Sequence, residues 1–293
     1  MTCCRAVPAT RHFLQGWLPI LSVAARPLAL HIAGMTNRMP ALFIGHGSPM
    51  NTLEDNHWTQ GWRALGARLP VPRALLVVSA HWYIGATAVT AMARPRTIHD
   101  FRGFPPELFA FQYDAPGAPD VARAVAEIAK PEPVALDEGQ WGLDHGTWSV
   151  LAHLFPEADV PVVQLSIDAT KPFAHHLELA ARLAPLRDEG VMIVGSGNVV
   201  HNLGLIDWHR PDSGTDWAHR FDDTVERLML ERPGDVLEAV AHPDYAAAVP
   251  TPDHFIPLLT LAGLAAAEGR AAEPMFKGYT MGSLSMTSYG LGV

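Results

Sequence analysis

A chain of 293 residues, 48% of them apolar and 17% charged, has enough hydrophobic side chain for one sizeable domain. Its formal charge of −9 argues against the basic face that a nucleic-acid binder needs and suits a soluble protein with a small-molecule partner. The only cysteines, Cys3 and Cys4, leave no disulfide framework or cysteine-based zinc site in the body of the chain, which fits a reducing cytoplasm, and no apolar run reaches the ~20 residues of a membrane-spanning helix.

Residues 1–38 hold Arg5, Arg11 and His12 followed by an apolar patch from Phe13 to Ala25. A secretory leader and a start at Met35 or Met39 both account for this segment. Gln15 and Pro19 inside the patch and Arg26 just after it favour the second reading. The segment is therefore expected to be an extension outside the fold, with one domain over residues 39–293.

From there short apolar runs alternate with helical patterns. Ala41–Ile44 reads as a strand that ends at Gly45-His46-Gly47, and Ala74–Ala80 as a strand that ends at His81-Trp82. A helix is expected over Pro119–Ala129, a strand over Val160–Ser166, and a helix over Phe173–Leu186. Val191–Val194 is a strand leading into Gly195-Ser196-Gly197, and helices follow over Trp217–Leu230 and His254–Ala267. Continuous apolar strands are usually buried on both faces, and their alternation with helices predicts an α/β fold. The expected architecture is a single-domain sandwich around a mainly parallel β-sheet flanked by helices.

Histidine is the unusual count, at 15. In open α/β sheets ligands bind beyond the carboxyl ends of the strands, and His46, His81 and His201 each follow a predicted strand. The glycines around His46 let the backbone turn sharply and leave the ring uncovered, which a packed core histidine does not need. His81 reads either as a ligand or as a ring satisfied by a backbone carbonyl, and the Gly195-Ser196-Gly197 turn ahead of His201 could cradle a phosphate but lacks the glycine spacing of a dinucleotide fingerprint. His254 follows Thr251-Pro252-Asp253, where Thr251 or Asp253 is a candidate N-cap. A ring in the first turn would be kept neutral by the helix dipole, as a ligand must be. Asp144-His145, framed by Gly142 and Gly146, reads as a polar loop or as a proton-transfer pair. No Gly-x-Ser-x-Gly elbow, His-Glu-x-x-His helix or Walker lysine is present. Imidazole accepts zinc, iron, copper and nickel alike, so the spacing does not choose a metal.

Seven stretches in order, FIGHGSPM (43–50), VVSAHW (77–82), DFRGFPPELFAFQYDAPG (100–117), GLDHGTWSVL (142–151), GSGNVVHNL (195–203), PDHFIPLL (252–259) and GSLSMTSY (282–289), carry a resemblance. The chain resembles the DOPA-dioxygenase type of the class III extradiol ring-cleavage dioxygenases, in the LigB superfamily. That resemblance implies a mixed sheet, His46, His81 and His254 as ligands of Zn2+ or Fe2+, and His201 as the acid/base group or a fourth ligand. It also implies that His145 acts in catalysis and that Asp144 lies with it in the substrate pocket. Many extradiol enzymes use two histidines and a carboxylate, and here the third position resembles a histidine. The implied partners are a catechol and O2. The Phe101–Pro106 loop is a candidate lid, on which Arg102 would pair with a substrate carboxylate or else remain a solvated surface residue. A zinc hydrolase on the same scaffold and a non-enzymatic binding protein of the Memo type are the rival readings.

Overall fold

Strand β1, Ala41–Gly45, shows how the sheet divides the molecule: Phe43 packs into one core, and its neighbours Leu42 and Ile44 pack into the other. The computed structural model describes residues 38–293. Further strands are β2 (Ala74–Ile84), β3 (Ala88–Thr90), β4 (Ala135–Asp137), β5 (Val162–Asp168), β6 (Val191–Gly197), β7 (Glu273–Phe276), β8 (Tyr279–Thr280), β9 (Leu284–Ser285) and β10 (Ser288–Leu291). The helices are α1 (His57–Gly66), α2 (Pro106–Ala110), α3 (Pro119–Ile128), α4 (His145–Leu154), α5 (Phe173–Leu183), α6 (Asp216–Glu231), α7 (Tyr245–Ala248) and α8 (Ile256–Glu268).

Eight strands form one sheet in the order β4-β3-β5-β2-β6-β1-β10-β7, and β8 and β9 pair separately. The central pairings β5-β2, β2-β6 and β6-β1 are parallel, whereas β10 joins β1 antiparallel. The fold is thus α/β with a mixed, mainly parallel sheet, as expected. Side chains alternate across it with period two. Leu76, Val78 and Ile193 meet α3, α5, α6 and α8 on one face, and Leu75, Val77, Met192 and Val194 meet α1 and α4 on the other. Each fully buried leucine or phenylalanine in these layers contributes roughly 1.5–3 kcal/mol relative to exposure. Among the described residues, no helix is long and apolar enough to cross a membrane.

Two sequence expectations need correction. Helix α8 begins at Ile256, not His254; its N-cap is Phe255, whose side chain has no acceptor to cap with, and the Asp253 carboxylate is instead engaged by the His254 ring. The segment at His145 is the first turn of α4 and not a loop. Asp144 caps that helix by accepting the Thr147 N–H at 3.2 Å, an ordinary N-cap role for aspartate. The expected extension covers residues that, up to 37, lie outside the described ones. Arg38 itself packs on the domain, donating to the Ala184 carbonyl at 3.1 Å and pairing with Asp188 at 3.2 Å.

Candidate metal centre and substrate pocket

Strands β2, β6 and β1 are adjacent and parallel, so their carboxyl ends open on one edge of the sheet. His46 directly follows β1, and His201 lies four residues past β6. His81 sits inside β2, where the register against β5 shifts between Val78 and Tyr83. A bulge there re-aims a side chain, as bulges beside active sites commonly do. His145, from the start of α4, and His254, just before α8, complete a cluster of five imidazoles. It forms the floor of a cavity of about 730 Å³.

Ring centroids of His46, His81 and His254 form a nearly equal-sided triangle with edges of 5.1, 5.2 and 5.1 Å. Three imidazoles bound tetrahedrally through one nitrogen each, at the roughly 2.0–2.1 Å of a zinc–nitrogen bond, would place their centroids about 5 Å apart. The Nε2 atoms of His46 and His81 are 3.3 Å apart. The nitrogens single out a different third member: those of His46, His81 and His145 all lie within 4.8 Å of one another, a group that excludes His254. The His145 ring lies 3.7 Å from His81 but 5.9 Å from His46, a lopsided arrangement. Ring position follows the backbone, whereas a nitrogen's position also follows rotation about the side-chain bonds. The triangle is therefore the better guide to which residues the fold brings to the centre.

Four of the five rings have an outer partner at Nδ1. His46 meets Ser196 Oγ at 3.0 Å, and His81 and His145 both meet Asp100 Oδ2, at 3.2 and 2.9 Å. His254 meets its neighbour Asp253. Such outer partners are what metal-binding histidines require to fix tautomer and orientation. Burial, with the other histidines around it, holds His46 well below the usual histidine range. Burial also lowers His254, to about 4 despite Asp253, and lowers His145 despite Asp100. His81 runs the other way: burial would lower it, but the Asp100 hydrogen bond and the charges of Asp144, Asp100 and Asp253 outweigh that effect. His201 is pushed far down by burial and by His254, so its ring is neutral at pH 7.

The other expected residues divide. Phe101 and Phe104 line the cavity, with Phe101 5.5 Å from the His145 ring. Arg102, between them, is exposed and does not line it. Asp144 is fully buried beneath the floor, where it accepts from Ser79 Oγ at 2.7 Å and from the Gln164 amide. It supports the site but does not face the cavity. His46 is buried at the floor, not left uncovered by its glycines. Gly47 adopts φ +63°, and a Cβ there would press on Met286 Sδ. The sequence reading missed Asp100 and Ser196 as partners, because each lies tens of residues away from its histidine. It missed Asp253 because an aspartate ahead of a helix reads first as a cap.

The family model for the catalytic LigB subunit of aromatic ring-opening dioxygenase matches residues 40–292. A protein of Escherichia coli K12 named 4,5-DOPA dioxygenase extradiol is 48% identical over 270 residues, covering 91% of this chain and 99% of that protein. One of the same name from Beta vulgaris is 36% identical, covering 86% and 96%. The crystal structure of an uncharacterised protein of Escherichia coli K12 superposes with a TM-score of 0.75 at 45% identity, covering 87% of this chain and all of that one.

Proposed function

This chain belongs to the family of the catalytic LigB subunit of aromatic ring-opening dioxygenase, and from that premise we propose that it opens a catechol of the 3,4-dihydroxyphenylalanine type with O2, by extradiol cleavage, in the cytoplasm. Relatives named 4,5-DOPA dioxygenase extradiol support the substrate class, and the low cysteine content supports the compartment. Neither the hydrolase nor the binding-protein reading gains support from the family or its named members. The observation that carries the proposal is the equal-sided triangle of His46, His81 and His254 at the floor of a cavity walled by aromatic rings.

His46, His81 and His254 are the proposed holders of Fe2+ or Zn2+, with Ser196, Asp100 and Asp253 fixing their rings. Three neutral nitrogen donors suit either ion, and Fe2+ is the one suited to O2 chemistry. Bound there, such an ion supplies Lewis acidity that lowers the pKa of the catechol hydroxyls. The chain's own groups do the rest. Phe101 and Phe104, packed edge to face on one wall of the cavity, give an aromatic ring an apolar surface and keep water from it. His201, neutral and without a side-chain hydrogen bond among the described residues, takes the proton that a catechol hydroxyl releases, and returns it to the product. His145, held by Asp100 through Nδ1, accepts from the second oxygen through Nε2. Acid/base assistance of this kind contributes about 10²–10⁴-fold. Both atoms of O2 end in the ring-opened semialdehyde, so no external reductant is required. Protein reconstituted anaerobically with Fe2+ should consume O2 stoichiometrically with ring-opened product. Full Fe2+ occupancy without O2 uptake across a catechol panel would refute the proposal.

A further inference from the structure

A single carboxylate serves two of the five histidines. Asp100 Oδ2 lies 2.9 Å from Nδ1 of His145 and 3.2 Å from Nδ1 of His81. Its other oxygen accepts the backbone N–H of His145 at 3.0 Å. The two rings come from different elements, one from the bulge of β2 and the other from the first turn of α4, and their centroids are 3.7 Å apart. Asp100 also directly precedes Phe101, the aromatic wall of the cavity.

An acceptor-only group facing Nδ1 of a neutral imidazole forces the proton onto Nδ1 and leaves Nε2 as the bare nitrogen. Here that choice is made for two rings at once. Left alone, two imidazoles in contact would settle into a hydrogen bond, one nitrogen donating to the other, and one ring would lose its free lone pair. We propose that Asp100 is a positioning residue that locks His81 and His145 together in the Nδ1–H tautomer, so that both present Nε2 to the centre, and that it ties this orientation to the aromatic wall. The inference rests on the metal-centre reading above but concerns the rings before any ion binds. It assigns to a residue 19 positions from His81 and 45 from His145 the task that Ser196 and Asp253 perform for His46 and His254.

The test uses the metal-free full chain with 15N-labelled histidine at pH 8.5, where the two-bond 1H–15N correlation distinguishes the tautomers. Wild-type protein should show His81 and His145, assigned by their Gln variants, as Nδ1–H. Asp100→Asn, near-isosteric but offering one acceptor and one donor, should move at least one ring to the other tautomer while the thermal midpoint stays close to wild type. Its affinity for Co2+, with the visible absorption band of the ion as readout, should fall by about 10–100-fold, as for outer-shell partners generally. An unchanged tautomer pair and an unchanged Co2+ isotherm in Asp100→Asn would overturn the role of Asp100, and so would an Nε2–H tautomer at either ring of wild type. Failure of the wild type itself to bind Co2+ stoichiometrically would instead overturn the metal-centre reading. Should Asp100→Asn fold poorly, Asp100→Glu, which keeps an acceptor-only group, should retain the Nδ1–H pattern; loss of that pattern in a folded Glu variant would also count against the proposal.

Discussion

The imidazole of His201 lies flat on that of His254, with centroids 3.5 Å apart and planes 2° from parallel. Burial holds both rings below the usual histidine range. They differ in their partners, since His254 is gripped by Asp253 and His201 has no side-chain hydrogen bond among the described residues. A gripped ring suits an ion and a free one suits a proton. His201→Ala should therefore keep the metal content of wild type and lose about 10²-fold or more of the ring-cleavage rate. His201→Gln, which forms hydrogen bonds but cannot shuttle a proton, should be nearly as slow. Metal analysis and O2 consumption on one sample check both, and loss of metal in His201→Ala would make it a fourth ligand instead.

Ring centroids and nitrogen atoms point to different third ligands, and replacement decides between them. His46→Ala, His81→Ala and His254→Ala should each fail to retain stoichiometric metal after dialysis, with far-UV circular dichroism unchanged. His145→Ala should retain it and lose turnover. The reverse result for His145 and His254 would assign the third position to α4.

Much of this site was legible in the sequence because it hangs on strand ends. The runs Ala41–Ile44, Ala74–Ala80 and Val191–Val194 are apolar enough to be central strands, and parallel central strands deliver the residues at their carboxyl ends to one edge. Contact across the chain was not legible. The glycine at 146 reads as loop punctuation, but its reason is crowding: a Cβ there would come within 2.8 Å of the His81 ring. The antiparallel strands β7, at the sheet edge, and β10, between it and β1, are short and mixed in polarity, so no periodicity announces them. Arg102 shares a loop with two cavity-lining phenylalanines and yet points elsewhere, a matter of side-chain direction that spacing cannot encode.

Stability should depend on pH through a histidine remote from the centre. His176 in α5 is buried, its Nε2 has no partner among the described residues, and burial followed by the His175 charge lowers its pKa to about 4. The folded state thus binds this proton less readily than the unfolded chain, whose histidine titrates near 6.5. Its contribution is fully present above about 6.5 and is lost as pH falls toward 4, by up to about 3 kcal/mol. Urea midpoints at pH 7 and pH 4.5 should show a smaller loss in His176→Phe than in wild type. Equal losses would locate the acid sensitivity elsewhere.

The cavity's charge predicts which end of a substrate it tolerates. Among the described residues that line it, Glu54 and Asp212 are acidic, and none is lysine or arginine. Arg102 lies outside it, so a substrate carboxylate meets no counter-charge there, whereas an ammonium meets two carboxylates. Both acids are exposed, and pairs of that kind contribute only about 0.2–1 kcal/mol. A catechol with an alkylamine tail should therefore exceed one with a carboxylate tail of equal length by about 1.4–5-fold in kcat/KM per pair formed. The preference should shrink with added salt, which screens exposed charges. Glu54→Gln combined with Asp212→Asn should abolish it without changing metal content, and Arg102→Ala should leave it untouched. A carboxylate preference that Arg102→Ala removes would mean that the Phe101–Phe104 loop closes on the substrate and carries Arg102 into the cavity.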